Sequence, residues 1–143
     1  MKSQLADTAA SFLSHAKPAE HSPELNASLT CSIIIPVSCG GTNFAKCLSS
    51  AIAAIQRGDE IIVVADGEGD GSWRIAEQMG ARVVKLPTRS GPGRARNIGA
   101  ETSESDILFF IDADVIIPPD SIERIRSIFE TEKDLAALIG SYD

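Results

Sequence analysis

The sequence predicts an α/β domain built on a mainly parallel sheet with helices on both faces. From residue 31 onward, apolar runs of strand length alternate with amphipathic segments of helical spacing. The runs are almost continuously apolar, which is typical of strands buried on both sides of a parallel sheet. The chain has 143 residues, a length that suits one such domain.

Five strands and four helices are expected in this alternation, as in a Rossmann-like fold. Pro36 is expected to end the first strand because it has no N–H to donate, and Thr42 or Asn43 to cap the first helix. The strands are predicted at 32–37, 60–65, 82–86, 107–111 and 135–139, and the helices at 42–55, 72–79, 93–102 and from about 120 to 129.

Composition restricts the partners and the cellular location that we expect for the protein. The formal net charge is -7, which argues against a nucleic-acid partner because such binding requires basic surface. Residues 1–30 lack the apolar core of a secretory signal and are expected to form a flexible arm, with a possible short helix at 3–15. Three cysteines without C-x-x-C spacing favour a reducing, cytoplasmic location over a disulfide framework.

The most informative feature is a pair of aspartates, Asp112 and Asp114, directly after the fourth strand. Ligands of open α/β sheets gather at the carboxyl ends of strands. Residues at i and i+2 of an extended segment point the same way, so the two carboxylates are placed to share one divalent cation. The competing interpretation is a pair of solvated turn residues.

A second group of acids follows the second strand. Asp66 adjoins that strand, and we expect it to contact a ligand, whereas Glu68 and Asp70 are expected to serve turn chemistry. The glycines of this loop are unlike a dinucleotide fingerprint, since Ser72 occupies the place of the last glycine.

Residues 81–100 reverse the overall charge, with five basic residues and no acid. Arg94 and Arg96 lie where a helix opens, a position that already favours an anion such as phosphate. Arg82 and Lys85, on the third strand, suit an ordinary solvated face equally well.

Four segments in order resemble family 2 glycosyltransferases of the GT-A fold. They are IIIPV at 33–37, VVADG at 63–67, GPGRARN at 91–97 and FFIDAD at 109–114. The resemblance implies a nucleotide-sugar donor site. It implies that Pro36 and Val37 line the nucleoside pocket, that Asp66 contacts the base, and that Arg94 or Arg96 lies near the pyrophosphate.

The same resemblance implies a divalent-metal site and an incomplete enzyme. Asp112 would reach the ribose and the metal, and Asp114 would bind Mg²⁺ or Mn²⁺ directly. The transfer would be an inverting displacement onto an unknown sugar, lipid or protein acceptor. The family's acceptor site and general base follow the last helix seen here. The chain at 31–143 is therefore expected to be truncated, and completed by sequence beyond Asp143 or by a second chain, either of which could bring it to a membrane.

The chain departs from the family in two places. Ser38-Cys39-Gly40-Gly41 lacks the aromatic-Asn pair that usually follows Pro-Val, and Ala65 replaces the first of two acids.

Two other classes of function compete with this interpretation. The Asp112 and Asp114 segment also resembles the first motif of haloacid-dehalogenase-type phosphatases, although that motif normally lies on the first strand and here Ile116 stands at its Thr or Val position. The other competitor is a non-catalytic nucleotide-binding module.

Overall fold

A computed structural model of the chain describes residues 28–67 and 69–141, which contain four strands and four helices in strict alternation. The expected flexible arm, with its possible helix at 3–15, lies almost wholly outside the described residues. The elements are β1 Cys31–Val37, α1 Gly41–Ala54, β2 Glu60–Asp66, α2 Ser72–Gln78, β3 Arg82–Leu86, α3 Pro92–Thr102, β4 Ile107–Phe110 and α4 Ser121–Thr131.

The four strands form one parallel sheet in the order β3-β2-β1-β4. In the register of the sheet, Ile35 pairs with Val63, and Ile33 pairs with Phe109. Because all strands run the same way, their last residues share one border, the carboxyl edge, and their first residues share the opposite border, the amino edge. The mainly parallel sheet is confirmed.

One face of the sheet carries the larger hydrophobic core and is covered by α1, α2 and α4. Ile33, Ile35 and Val63 lie on this face in the main hydrophobic core. Phe44 of α1 and Ile122 of α4 are fully buried there. The apolar spacing of both helices therefore serves core packing.

Among the described elements, α3 alone covers the opposite face. Ile34, Ile62 and Val64 pack there with Ala95 in a second, smaller core. A Cβ added to Gly99 would lie 2.4 Å from Ile34 Cγ2, so only glycine lets α3 approach the sheet this closely. The prediction of helices on both faces is confirmed.

The sequence suggested that Pro36 ends β1, but the strand is not interrupted there. The strand continues to Val37, and Pro36 pairs with Val64 of β2. The carbonyl of Ile34 accepts from β4, so Pro36, two residues later, presents its backbone to the same side. The last β1–β4 pair is Ile34 with Phe110, so the missing N–H of Pro36 falls where β4 offers no partner.

The cap of α1 also differs from the prediction. The helix begins at Gly41, and neither Thr42 nor Asn43 caps it. Side chains from the loop after β2 take over that role: the backbone N–H of Gly40 donates to Ser72 Oγ, and that of Gly41 donates to Asp70 Oδ2. A distant segment of the chain thus supplies the acceptors that an N-cap residue usually provides.

The fourth strand is less buried than its apolar run implied. Leu108 is 39% exposed and Phe110 is 41% exposed. β4 lies at the border of the sheet, and α3 packs over β1 and β2, so no helix of the described residues covers these two side chains.

The strand predicted at 135–139 does not form. This segment is irregular, and Ile139 is 93% exposed. Within residues 28–67 and 69–141, no strand pairs with β4 besides β1, so the outer border of β4 stays open and the apolar segment does not join the sheet.

An arginine that the sequence did not single out fastens the amino edge. Arg126 of α4 is 7% exposed. Its Nη2 lies 2.7 and 2.8 Å from the two carboxylate oxygens of Asp59, its Nη1 donates to Gln56 Oε1 at 2.9 Å, and its Nε donates to the Leu29 carbonyl at 2.7 Å. Asp59 in turn accepts from the Cys31 N–H at 3.0 Å. One guanidinium therefore joins α4, the loop before β2 and the start of β1.

Candidate functional site

A cavity of about 160 Å³ lies at the carboxyl edge and brings together three of the predicted site residues. Pro36 and Val37, from the end of β1, and Asp66, from the end of β2, all line it. The remaining lining residues are Ser38, Arg89 and Pro92. Every one of these residues follows or ends a strand, as expected for a ligand site of a parallel sheet.

Asp66 is held in place by the loop before α3. It is 4% exposed, and its Oδ1 and Oδ2 accept from the backbone N–H groups of Ser90 and Gly91 at 2.5 and 2.8 Å. Gly91 caps α3 with a φ of 91°, a conformation that favours glycine. The anion at the start of α3 is thus Asp66 itself, so a phosphate would depend on side chains of α3 rather than on these N–H groups.

Asp70 and Ser72 clamp the loops that follow β1 and β2. Besides holding the start of α1, Asp70 Oδ1 accepts from the Ser72 N–H at 3.0 Å and from the Ser72 hydroxyl. The hydroxyl of Ser72 and then the N–H of Gly41 lower the pKa of Asp70 to about 2. The expected turn role of Asp70 is confirmed; Glu68 lies outside the described residues.

The two clamped loops touch at Gly69. A Cβ built there would lie 1.7 Å from the Ser38 carbonyl oxygen, and the residue has a φ of 48°. Only glycine allows the second loop to press against the first, next to the cavity wall that Ser38 forms.

The first aspartate of the predicted pair is engaged by α3. Asp112, which is exposed just beyond β4, forms an ion pair through Oδ1 with Nη2 of Arg96. Arg96 lies four residues after Pro92, so it shares the helix face that reaches the cavity. This face of α3 therefore connects Pro92, in the cavity wall, with Arg96 and Asp112.

Asp114 and Arg94 are placed differently from their neighbours. Asp114 is exposed in the turn that the Val115 N–H closes onto the Asp112 carbonyl at 3.1 Å. Arg94 is exposed two residues before Arg96, and it makes no ion pair with any part of the chain that the structure describes. Residues two apart on a helix point to different sides, so the two arginines are not equivalent.

A thiol lies beneath the aspartates. Cys47 of α1 is fully buried, as its place on the apolar stripe predicted, and its Sγ donates to the Asp112 carbonyl at 3.5 Å. Burial and then the charge of Asp114 raise the pKa of the Cys47 thiol to about 11. The thiol is therefore neutral near pH 7.

The donor set that these residues offer a cation is small. Within residues 28–67 and 69–141, no group of three or more His, Cys, Asp or Glu side chains converges as a metal cage. Two carboxylates suit Mg²⁺ or Mn²⁺, since Mg²⁺ is usually bound by one or two carboxylates while waters and substrate phosphates complete its coordination. The residues fit such an ion when a phosphate ligand is also present.

Arg82 and Lys85 serve the surface rather than the cavity. Arg82 lies 3.7 Å from Glu60 and donates to the Thr102 carbonyl. Lys85 lies 2.9 Å from Glu77, and its ammonium is 3.4 Å from the centre of the Trp73 ring. Both are exposed, as a solvated face requires.

Sequence reasoning missed three residues of the cavity wall. Ser38 and Pro92 carried no chemical signal, but they flank residues that did. Arg89 was visible only as part of a basic stretch; the close approach of Gly67, whose added Cβ would lie 3.2 Å from the Arg89 N atom, brings it to the cavity.

Comparison with known sequences gives the family. The sequence model described as Glycosyl transferase family 2 matches residues 32–142. The glycosyltransferase GlyG of Streptococcus pneumoniae is 26% identical over 116 residues, an alignment that covers 78% of this chain and 38% of GlyG. The chain thus spans well under half the length of this relative.

Two solved structures have a similar fold. Residues 1-349 of S. aureus TarS, in complex with UDP, have a TM-score of 0.68 at 23% identity, over 73% of this chain and 33% of that fragment. Glucosyl-3-phosphoglycerate synthase from Mycobacterium tuberculosis, in complex with Mn²⁺, UDP and phosphoglyceric acid, has a TM-score of 0.58 at 28% identity, over 72% of this chain and 39% of that chain. The fold is of the GT-A type.

These similarities set aside the phosphatase interpretation of Asp112 and Asp114, which required their motif on the first strand rather than on β4. Within the part of the chain that the structure describes, no helix is both long enough and apolar enough to span a bilayer. The family match extends over more than half of the sequence and includes all four segments that suggested it. The chain therefore belongs to glycosyl transferase family 2.

Proposed function

We propose that this chain forms the donor-binding part of an inverting, divalent-metal-dependent glycosyltransferase that uses a nucleotide sugar. The observation that carries the proposal is the arrangement of residues along the carboxyl edge. A cavity walled by Pro36, Val37 and Asp66 leads along α3 to Arg96 and the aspartate pair. A nucleoside, a diphosphate and a cation need these three environments in this order.

The nucleoside part of the donor would occupy the cavity. Its lining has apolar surface from Pro36, Val37 and Pro92, but no aromatic ring. A base would therefore lie against aliphatic side chains instead of stacking on an aromatic one. Both oxygens of Asp66 already accept backbone hydrogen bonds, so its contact with a base would use their remaining lone pairs.

The diphosphate would be bound by Arg96 rather than by Arg94. Arg96 shares a helix face with Pro92 and contacts Asp112, whereas Arg94 points elsewhere. A guanidinium presents two parallel N–H groups that match phosphate oxygens, and this geometry suits Arg96 to that partner.

Asp114 and Asp112 would hold Mg²⁺ or Mn²⁺, with Asp114 as the direct ligand. The related synthase from M. tuberculosis, solved with Mn²⁺ and UDP, supports a divalent cation for the family. When bound, the cation neutralises charge on the diphosphate leaving group.

An acceptor hydroxyl would attack the anomeric carbon in one displacement as the bond to the diphosphate breaks, with inversion at that carbon. Its proton would pass to a general base outside the described residues. The acceptor, whether sugar, lipid or protein, would be bound by the part of the enzyme that supplies this base. Since the chain covers 38% of GlyG, a module that binds the donor without turnover by itself is the second candidate.

The test is a thermal-shift screen of nucleoside diphosphates and nucleotide sugars with Mn²⁺, with Mg²⁺ and with EDTA. A ligand at one hundred times its Kd adds about 2.7 kcal/mol to the free energy of unfolding. We expect one base to give a shift that EDTA reduces, and UDP is the first candidate because both solved relatives bind it. A folded sample that no nucleotide stabilises would refute the proposal. Hydrolysis or transfer of the sugar by the chain alone would exclude the non-catalytic candidate.

A further inference from the structure

Arg96 and Asp112 form an ion pair at the point where the proposed site would hold a cation. The pair is open to solvent, because the Arg96 side chain is 36% exposed and that of Asp112 is 58% exposed. Exposed ion pairs are weak and exchange partners readily. In the structure Arg96 makes no other ion pair with a described residue.

A divalent cation would compete with this guanidinium. Both are attracted to the same carboxylate of Asp112, and each repels the other when they are close. Asp114 has no such cationic partner among the described residues, so it is the carboxylate that remains available. Cation binding by both carboxylates therefore requires Arg96 to release Asp112 or to share it.

A diphosphate offers Arg96 a better partner than Asp112. It carries more negative charge and more acceptor oxygens than one carboxylate. Arg96 lies one helical turn after Pro92, a residue of the cavity wall, so a diphosphate that extends from the cavity along this face of α3 would meet its guanidinium.

We propose that Arg96 is an exchangeable counter-ion that couples cation binding to diphosphate binding. Without nucleotide it holds Asp112 and weakens cation binding; when a nucleoside diphosphate takes its guanidinium, Asp112 is released to the cation. The inference rests on the proposed function, which it deepens by stating the order of events at the same site. Reciprocity then requires that the cation also raise the affinity for nucleotide.

The decisive measurement is the affinity for Mn²⁺ without nucleotide. Binding is detected as a loss of the electron-paramagnetic-resonance signal of free Mn²⁺. Arg96→Gln removes the competing charge, and we expect it to raise the Mn²⁺ affinity about twofold to tenfold. Arg94→Gln is the matched control, because it removes the same charge from the same helix without touching Asp112; we expect a change below about twofold. Arg96→Lys keeps a positive charge and should remain near the wild-type affinity.

The coupling itself is read from UDP titrations with and without Mn²⁺. In the wild type Mn²⁺ should raise the UDP affinity by a larger factor than in Arg96→Gln, because the variant has no counter-ion to exchange. Circular dichroism of each variant establishes that it is folded.

Three results would overturn the proposal: equal Mn²⁺ affinities of Arg96→Gln and Arg94→Gln, weaker Mn²⁺ binding by Arg96→Gln than by the wild type, or no Mn²⁺ binding by either protein at millimolar concentrations. If UDP still stabilises the wild type in any of these cases, only the exchange fails and the donor site stands. If UDP does not bind at all, the proposed function fails as well.

Discussion

The two edges of the sheet use the same kinds of residue for opposite purposes. At the amino edge, Arg126 and Asp59 are buried together, and every nitrogen of the guanidinium has a partner. At the carboxyl edge, Arg96 and Asp112 form a single exposed contact. A buried pair that loses one member leaves an uncompensated charge, whereas an exposed pair can change partners cheaply. The arginine of the amino edge is therefore fixed by its partners, whereas the arginine of the carboxyl edge is available for ligands.

A cluster of hydroxyls reinforces the contrast. Ser32 is fully buried at the start of β1, and its Oγ lies 2.6 to 2.8 Å from Glu60 Oε1 and from the hydroxyl oxygens of Ser103 and Ser105. These contacts tie the segment before β4 to β1 and β2. At the carboxyl edge the comparable polar groups of Asp112 and Asp114 face solvent.

Removing the buried cation should give the largest effect on stability. We expect Arg126→Ala to lower the free energy of unfolding by about 3–5 kcal/mol, because it leaves Asp59 charged and buried. Urea unfolding measures the change. Arg124→Ala, two residues away on the exposed side of α4, is the matched control and should cost less than about 0.5 kcal/mol. Equal costs for both variants would break the contrast between the edges.

The clamp at the carboxyl edge should contribute less, and in a pH-dependent way. The pKa of Asp70 is lowered from 3.8 to about 2, so its contribution is complete above about pH 4 and is lost as the pH falls towards 2. Asp70→Asn removes this titration. The difference in melting temperature between wild type and variant should therefore shrink between pH 5 and pH 2.

Asp134→Asn, an exposed substitution outside the clamp, controls for the change in net charge. A difference between wild type and Asp70→Asn that stays constant over this pH range would show that the charge of Asp70 does not hold the two loops.

The three cysteines test the assigned burial of both edges by their reactivity. Cys39, in the loop after β1, is exposed, whereas Cys31 and Cys47 are buried. Burial and then the charge of Asp59 raise the pKa of the Cys31 thiol to about 12. A thiol reagent at pH 7.5 should label Cys39 rapidly and the two buried cysteines only on unfolding, since the thiolate is the reactive form. Rapid labelling that persists in Cys39→Ser would contradict the assigned burial.

Much of the architecture followed from local patterns. Apolar runs and helical spacing located all four strands and helices to within a few residues, because each buries a continuous face. The strand order of a parallel sheet then placed Pro36, Val37 and Asp66 around one cavity. The parallel direction of the strands was enough for this prediction, because every strand delivers its last residue to the same edge.

What the sequence did not reveal depends on distant contacts. The partners of Arg126 lie 67 to 97 positions away in the chain, so nothing near it marked it as buried. Asp70 supplies an acceptor to α1 from 29 residues further on, and that is why Thr42 and Asn43 are not needed. The exposure of Leu108 reflects where α3 packs, which its apolar neighbours could not indicate.

The same limit applies to the two arginines of α3. Their spacing predicted a basic helix start, but only the pairing of Arg96 with Asp112 and its alignment with Pro92 distinguish it from Arg94.

The central claim is that the carboxyl edge binds a nucleotide with the help of Asp114 while the amino edge maintains the fold. Its most direct test is a calorimetric titration, in Mn²⁺, of the nucleoside diphosphate that gives the largest thermal shift into wild type, Asp114→Ala and the exposed control Asp134→Ala. We expect binding to be lost or reduced at least tenfold in Asp114→Ala alone, with the melting temperatures of all three proteins within a few degrees of one another. Unchanged affinity in a folded Asp114→Ala protein would contradict the account.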